Sequence, residues 1–188
     1  ADDCDIFVKS EMAADRVMKS VTSWLERKLR LRVSATKTKV VRPMKSNFLG
    51  FTFWKSKDGW KCRPAKDRKK KLYEKTREIL CRKKATARTI KSTFMQLNWL
   101  IRGWINYYRI GSMKGFLDEY GQWLRHKVRV VILKQWKKPK TIFKNLMALN
   151  RIQKCGFEEK RLLSVANARQ GWYRMATIRD INFLLNPT

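Results

Sequence analysis

The chain has 188 residues, with 45 Lys+Arg against 15 Asp+Glu for a formal net charge of +30, and 44% of its residues are hydrophobic, including 8 Trp, 9 Phe and 5 Tyr. So many aromatic side chains must be buried or stacked, which excludes a disordered basic tail. A folded chain this basic needs a polyanion as partner, nucleic acid ahead of an anionic membrane surface.

In chain order, Cys4 to Val8 reads as a short strand, and Ser10 is placed to cap a helix whose apolar face is Ala14, Val17, Met18, Val21, Trp24, Leu25 and Leu29. Leu31 to Val33 and Lys39 to Val41 are β-branched enough for short strands. Phe48 to Trp54 reads as a longer strand, and Asp58-Gly59 supplies a turn before a returning Trp60-Lys61-Cys62. After Pro64 the periodicity becomes helical. One face runs Leu72, Thr76, Ile79, Leu80; a second runs Ile90, Phe94, Leu97, Ile101, Trp104, Ile105, Tyr108; a third runs Phe116, Tyr120, Trp123, Leu124, Val128, Val131. Gly111 and Gly115 separate the last two, giving a small three-helix bundle. A helix from about Ile142 to Cys155 should end at Gly156, another should start near Glu158, and Gly171 to Arg174 should be irregular. The expected fold class is α+β, mainly α.

Cys4, Cys62, Cys81 and Cys155 form no Cys-x-x-Cys, and His126 is the one histidine. A zinc ribbon, an HNH-type nuclease centre and a Ser-His-Asp triad are thereby excluded or made improbable. The cysteines read as packing thiols in a reducing compartment, and His126 as a surface or phosphate-contacting residue. No apolar run reaches bilayer-spanning length and no leader is recognisable, so a soluble, intracellular protein is expected. A start at Ala1, followed at once by acidic residues, suggests a piece of something larger.

Charge is concentrated in the middle. Residues 61–140 carry 24 Lys+Arg against 5 Asp+Glu, whereas residues 1–60 carry 13 against 7 and residues 141–188 carry 8 against 3. Arg68-Lys69-Lys70-Lys71 opens the first bundle helix and Arg82-Lys83-Lys84 closes it; Arg102, Arg109, Arg125, Arg129, Lys134, Lys137 and Lys138 follow. With so few acids to balance them, these cations are placed to neutralise phosphates, which gives affinity without sequence information. Trp99, Trp104, Tyr108 and Trp123 lie at helical spacing and read as core. Trp172 and Tyr173, between Arg169 and Arg174, are better candidates for contact with unpaired bases.

Asp2 and Asp3 are adjacent carboxylates before an apolar stretch, a pattern that can hold magnesium for nucleotidyl transfer but is common in solvated turns. Asp2-Asp3, a helix, Lys37-Thr38-Lys39 and then Phe48-Leu49-Gly50-Phe51 stand in the order of the late palm motifs of reverse transcriptases. The chain resembles the reverse transcriptase/maturases encoded by group II introns, especially bacterial ones. Leu97 to Tyr108, with its Gly-Trp-Ile-Asn-Tyr-Tyr, is similar to the maturase-specific region, Trp123 to Lys138 to the basic thumb helix, and Ala168 to Arg174 to the closing motif. The resemblance spans essentially the whole chain.

It implies the end of a palm over 1–62, a thumb/maturase-specific helical domain over 63–140, and a small C-terminal nucleic-acid-binding region over 141–188. Asp2 and Asp3 would be metal-binding catalytic residues for Mg2+, and Lys37, with Lys39 a near equivalent, would approach the incoming nucleotide's phosphates. Phe48, Leu49 and Gly50 would form the primer grip. The implied partners are intron RNA, template-primer, target DNA and the missing N-terminal portion of the polymerase; the implied setting is the bacterial cytoplasm. The earlier palm aspartate and the fingers are not in this sequence, so the chain alone is expected to be inactive as an RNA-directed DNA polymerase. The alternative is a non-enzymatic RNA-binding splicing factor or RNA chaperone. A retron-type enzyme would leave Gly103 to Tyr108 unexplained.

Overall fold

The computed structural model describes residues 4–186. Two compact units emerge, one of residues 1–69 with 108–112, the other of residues 70–107 with 113–188.

In the first unit, α1 spans Glu11–Lys28. Ser10 caps it as the sequence predicts: its backbone is extended and its hydroxyl accepts from the Ala13 N–H at 3.2 Å. Glu11 in the first turn and Arg27 and Lys28 in the last complement the helix dipole. Yet none of its residues is buried, and Trp24 is 53% exposed. Leu31–Val33 and Lys39–Val41 are not strands, and neither is the segment from Cys4 to Val8. No neighbouring strand among the described residues pairs their backbones, and β-propensity without a ladder does not make a strand. Instead Asp5 accepts from the Ser46 hydroxyl at 2.6 Å and Phe7 packs edge-on against Phe53, ring centroids 5.3 Å apart. A 3-10 turn, Pro43–Lys45, follows.

The sheet is antiparallel, in the order β1 (Asn47–Phe48), β2 (Phe51–Ser56), β3 (Gly59–Pro64). The single strand predicted from Phe48 is therefore two strands, because Phe48 pairs with Phe51 around a two-residue turn. Leu49 and Gly50 both have positive φ, +51° and +80°, the signature of a type I′ hairpin. Phe51 pairs with Pro64 and Ser56 with Gly59 on the other side of β2. Residues 108–112 close this unit: Ser112 N–H donates to Cys62 O at 2.8 Å, and the Tyr108 ring lies 5.0 Å from Phe51.

The second unit is helical. α2 runs Lys66–Ile79, its residues from Lys70 onward belonging here, followed by α3 (Arg82–Ala85), α4 (Ile90–Tyr108) and α5 (Lys114–Trp136). Arg82-Lys83-Lys84 thus form a short helix of their own rather than the end of α2. Gln135 fixes the turn around them by donating to Ala85 O and Arg88 O at 2.7 and 3.0 Å. Then come α6 (Pro139–Gln153), α7 (Glu159–Ala166), α8 (Gly171–Met175) and α9 (Arg179–Leu184). Pro139 starts α6 at a position where its missing N–H costs nothing. The left-handed residue that ends α6 is Lys154 at φ +52°, two residues before the predicted Gly156. Asn150 clamps the exit, donating to Phe157 O at 2.8 Å and accepting from Phe157 N–H at 3.1 Å.

Apolar residues of α5 to α9 share one core, with Leu133, Ile142, Leu146, Leu162, Ile181 and Leu184 essentially inaccessible. The residues predicted irregular at 171–174 are helical and Trp172 packs against this core. A mainly helical fold with one small antiparallel sheet is the predicted α+β class. Among the described residues no helix is long and apolar enough to cross a membrane.

Candidate nucleic-acid interface

On α2, Leu72 and Thr76 are the buried residues. Thr76 donates to Leu72 O at 2.8 Å, so the Tyr120 hydroxyl, 2.7 Å away, donates to Thr76. Tyr73 sits at the centre of a ring cluster with Trp123 (4.7 Å), Tyr120 (5.2 Å) and Phe116 (6.0 Å). Burial raises the pKa of Tyr120 and, with help from Glu119, of Tyr73, so both stay neutral. Packing one face of α2 this way leaves Lys70, Lys71, Lys75 and Arg77 on its exposed side. Arg77 lies over the cluster, 5.5 Å from the Trp123 ring centre. Lys70 and Glu74 are 3.9 Å apart on the surface, too loose and too solvated to occupy the lysine.

Among the other predicted contact residues, Lys69 is half-buried, and Arg102, Arg125, Lys137, Lys138, Arg169 and Arg174 are exposed in the helical unit. In the first unit Arg68 and Arg109 are exposed, Arg68 with Asp67 at 3.2 Å. Lys37 is exposed in a turn closed by its own N–H to Ser34 O, and Phe48 is half-buried at the end of β1. The hairpin presents Leu49, 49% exposed and in a conformation that costs a non-glycine residue about 1 kcal/mol. Gly50 is buried, and a Cβ there would sit 2.7 Å from the Tyr108 hydroxyl oxygen. Asp2 and Asp3 lie outside the described residues. Among the described residues no three of His, Cys, Asp and Glu gather as a ligand set, so those residues offer magnesium no fit.

Several sequence expectations need correction. Arg129 is not a surface cation: it is 6% exposed and its Nε–H donates to Ala176 O at 3.1 Å, tying α5 to the end of α8. Burial, and Arg125 after it, lowers its pKa. His126 is half-buried, with its ring 4.3 Å from the Tyr173 ring and its Nε2 buried without a partner. Burial first, then Arg129 and Lys127, pushes the imidazole below its ordinary pKa of 6.5. Trp99, predicted as core, is 65% exposed beside the exposed Arg102 on α4. Cys4 and Cys81 are exposed rather than packed. Lys127 went unnoticed in the sequence; its ammonium lies 5.2 Å from the Tyr173 ring centre. The only signal for it is its place 46 positions before Tyr173 in a structure that folds α8 back onto α5, and no periodicity carries that.

A comparison with curated proteins finds no match to the chain. Residues 69–149 match the family model described as the group II intron, maturase-specific domain. The matched span holds α2 from its second turn, α3, α4, α5 and most of α6, the segments where exposed cations most outnumber carboxylates. Intron RNA is the partner that such a domain implies. Over residues 69–149, then, the chain is similar to the maturase-specific domain of group II introns, a match that fits the C-terminal portion of a maturase and supports a role in intron splicing.

Proposed function

We propose that the chain is the C-terminal portion of a group II intron reverse transcriptase/maturase, comprising the end of the palm, the thumb and maturase region over 63–140 and a nucleic-acid-binding tail over 141–188. It binds the intron RNA directly, through phosphate contacts from the exposed cations of α2 to α5. In the complete protein it takes part in RNA-templated DNA synthesis on a template-primer and in intron mobility into target DNA. The single observation that carries this is the coincidence, over one stretch of chain, of the maturase-specific match with 24 bases against 5 acids between residues 61 and 140. Such an excess is costly unless phosphates relieve it.

Within the polymerase, Leu49 at the tip of its hairpin and Gly50 behind it are suited to hold a primer terminus, and Lys37 to face nucleotide phosphates. The apolar face of α1, none of whose residues is fully buried, suits contact with the rest of the palm. Asp2 and Asp3 would supply two magnesium ligands, the ion contributing charge neutralisation at the transferred phosphate.

The test is equilibrium binding of the chain to a structured RNA over a salt series. The logarithm of affinity should fall linearly with the logarithm of salt concentration, by about 0.9 per phosphate neutralised on a duplex. Charge reversal at Lys70 and Lys71 should flatten that slope. A salt-independent affinity would overturn RNA binding through these cations.

A further inference from the structure

The helical unit contains a cleft of about 550 Å3 where α5 faces α8, within the range of about 300–1,000 Å3 typical of small-ligand sites. Its floor is apolar, made by Leu80, Val130, Val131 and Trp172. Its rim carries Lys127, Lys134 and Arg174, and no carboxylate lines it. None of these three cations forms an ion pair among the described residues. Gly171, at φ +76°, turns the chain into α8, where Trp172 packs against the core and Tyr173 is left 58% exposed. Tyr173 is nevertheless held in place, its ring centre 4.3 Å from that of His126 in an edge-to-face arrangement and 5.2 Å from the Lys127 ammonium.

Apolar floor, oriented aromatic ring and unpaired cations together require a ligand that is flat and apolar on one side and anionic on the other. A bare phosphate would leave the floor unused. An apolar peptide segment would strand three charges. A base with its phosphate satisfies both, provided that the base is not already stacked in a duplex.

We propose that this cleft takes a single unpaired nucleotide of the bound RNA, a step that rests on the RNA binding proposed above. The base lies against Tyr173 and the apolar floor, and Lys127, Lys134 and Arg174 neutralise the phosphates on either side of it. The cleft thus adds recognition of a bulge or loop to the sequence-blind hold of the basic helices.

The experiment compares the full chain's binding to two RNA hairpins identical except that one carries a single bulged 2-aminopurine nucleotide. The bulged hairpin should bind about tenfold more tightly, the scale of one base–aromatic stack, and its emission should be quenched on binding. Tyr173→Ala should abolish the preference while leaving affinity for the fully paired hairpin unchanged, and Tyr173→Phe should retain it. Equal affinity of the native chain for both hairpins, or a Tyr173→Ala loss shared equally by both, would overturn the cleft while leaving RNA binding intact. Failure of the native chain to bind either hairpin at low salt would overturn RNA binding itself and the cleft with it. Should Tyr173→Ala melt early, Arg174→Glu, exposed on the same helix, serves the same comparison: it should weaken the bulged hairpin more than the paired one, and an equal loss counts against the cleft.

Discussion

The two units are built from equally clear amphipathic signals and use them differently. α1 has a full apolar stripe, a capped start and complementary charges at both ends, and buries none of its residues. α6 has a stripe of similar quality, and its Ile142 and Leu146 are sealed inside a core shared with α5, α7, α8 and α9. Ile6, Phe7, Met12, Trp24 and Leu31 are all more than half exposed in the first unit. The difference teaches that periodicity specifies a face, whereas stability comes only from what covers it. One unit is a self-sufficient core; the other is held by a hairpin, a few aromatic contacts and local turns.

Core truncation should break that comparison open most widely. Leu146→Ala should cost about 2–5 kcal/mol in urea unfolding followed by circular dichroism, since a fully buried leucine loses both transfer energy and packing. Trp24→Ala, a larger truncation on α1, should change stability by no more than about 0.5 kcal/mol. A comparable loss at Trp24 would show that α1 has a partner that the fold does not reveal. Within the first unit the weak point is instead the β1–β2 turn. Gly50→Ala places a side chain at φ +80° and 2.7 Å from the Tyr108 hydroxyl oxygen, which should cost about 2 kcal/mol. Thermal melting of this variant beside Gly115→Ala, where a Cβ meets open space within a helix, isolates the effect.

How much of this was legible follows the same division. The Ser10 cap, the Asp58-Gly59 turn and the helical faces of α2, α4 and α5 could be read because each depends on residues a few positions apart. The split of the Phe48 strand could not, because Leu49 is a poor residue for a left-handed turn and gives no turn signal. Trp99 has the spacing of a core residue, and only the packing of α4 shows that its side faces outward. At the interface, charge density identified the cationic helices, but not which cations are spent inside the fold. Arg129 and Arg125 are one turn apart, with identical side chains and opposite fates.

Those two arginines give the next sharpest contrast. Arg129→Ala removes the donor to Ala176 O in a buried setting and should cost about 1–3 kcal/mol. Arg125→Ala should leave stability within about 0.5 kcal/mol and lower RNA affinity with a shallower salt slope. Melting curves and salt-series binding on the same pair of variants check both halves. If Arg129→Ala binds RNA worse at full stability, its guanidinium reaches phosphate and its burial is not maintained in the complex.

The smallest expected effect lies at His126, against the Tyr173 ring that lines the cleft. Burial, Arg129 and Lys127 hold His126 below the ordinary imidazole pKa of 6.5, so in a window just under that value the unfolded chain takes up a proton that the folded chain refuses. Stability therefore rises with pH through that window and is lost as pH falls below it. His126→Phe keeps an aromatic edge against Tyr173 and removes both the titration and the unpartnered Nε2. Between about pH 7 and pH 5, the range in which an imidazole changes charge, the melting temperature of the native chain should fall more than that of His126→Phe. Above pH 7 the two curves should run parallel, because the imidazole is then neutral in both folded and unfolded chains. Parallel curves over the whole range would mean that solvent reaches the His126 ring and that burial does not lower its pKa.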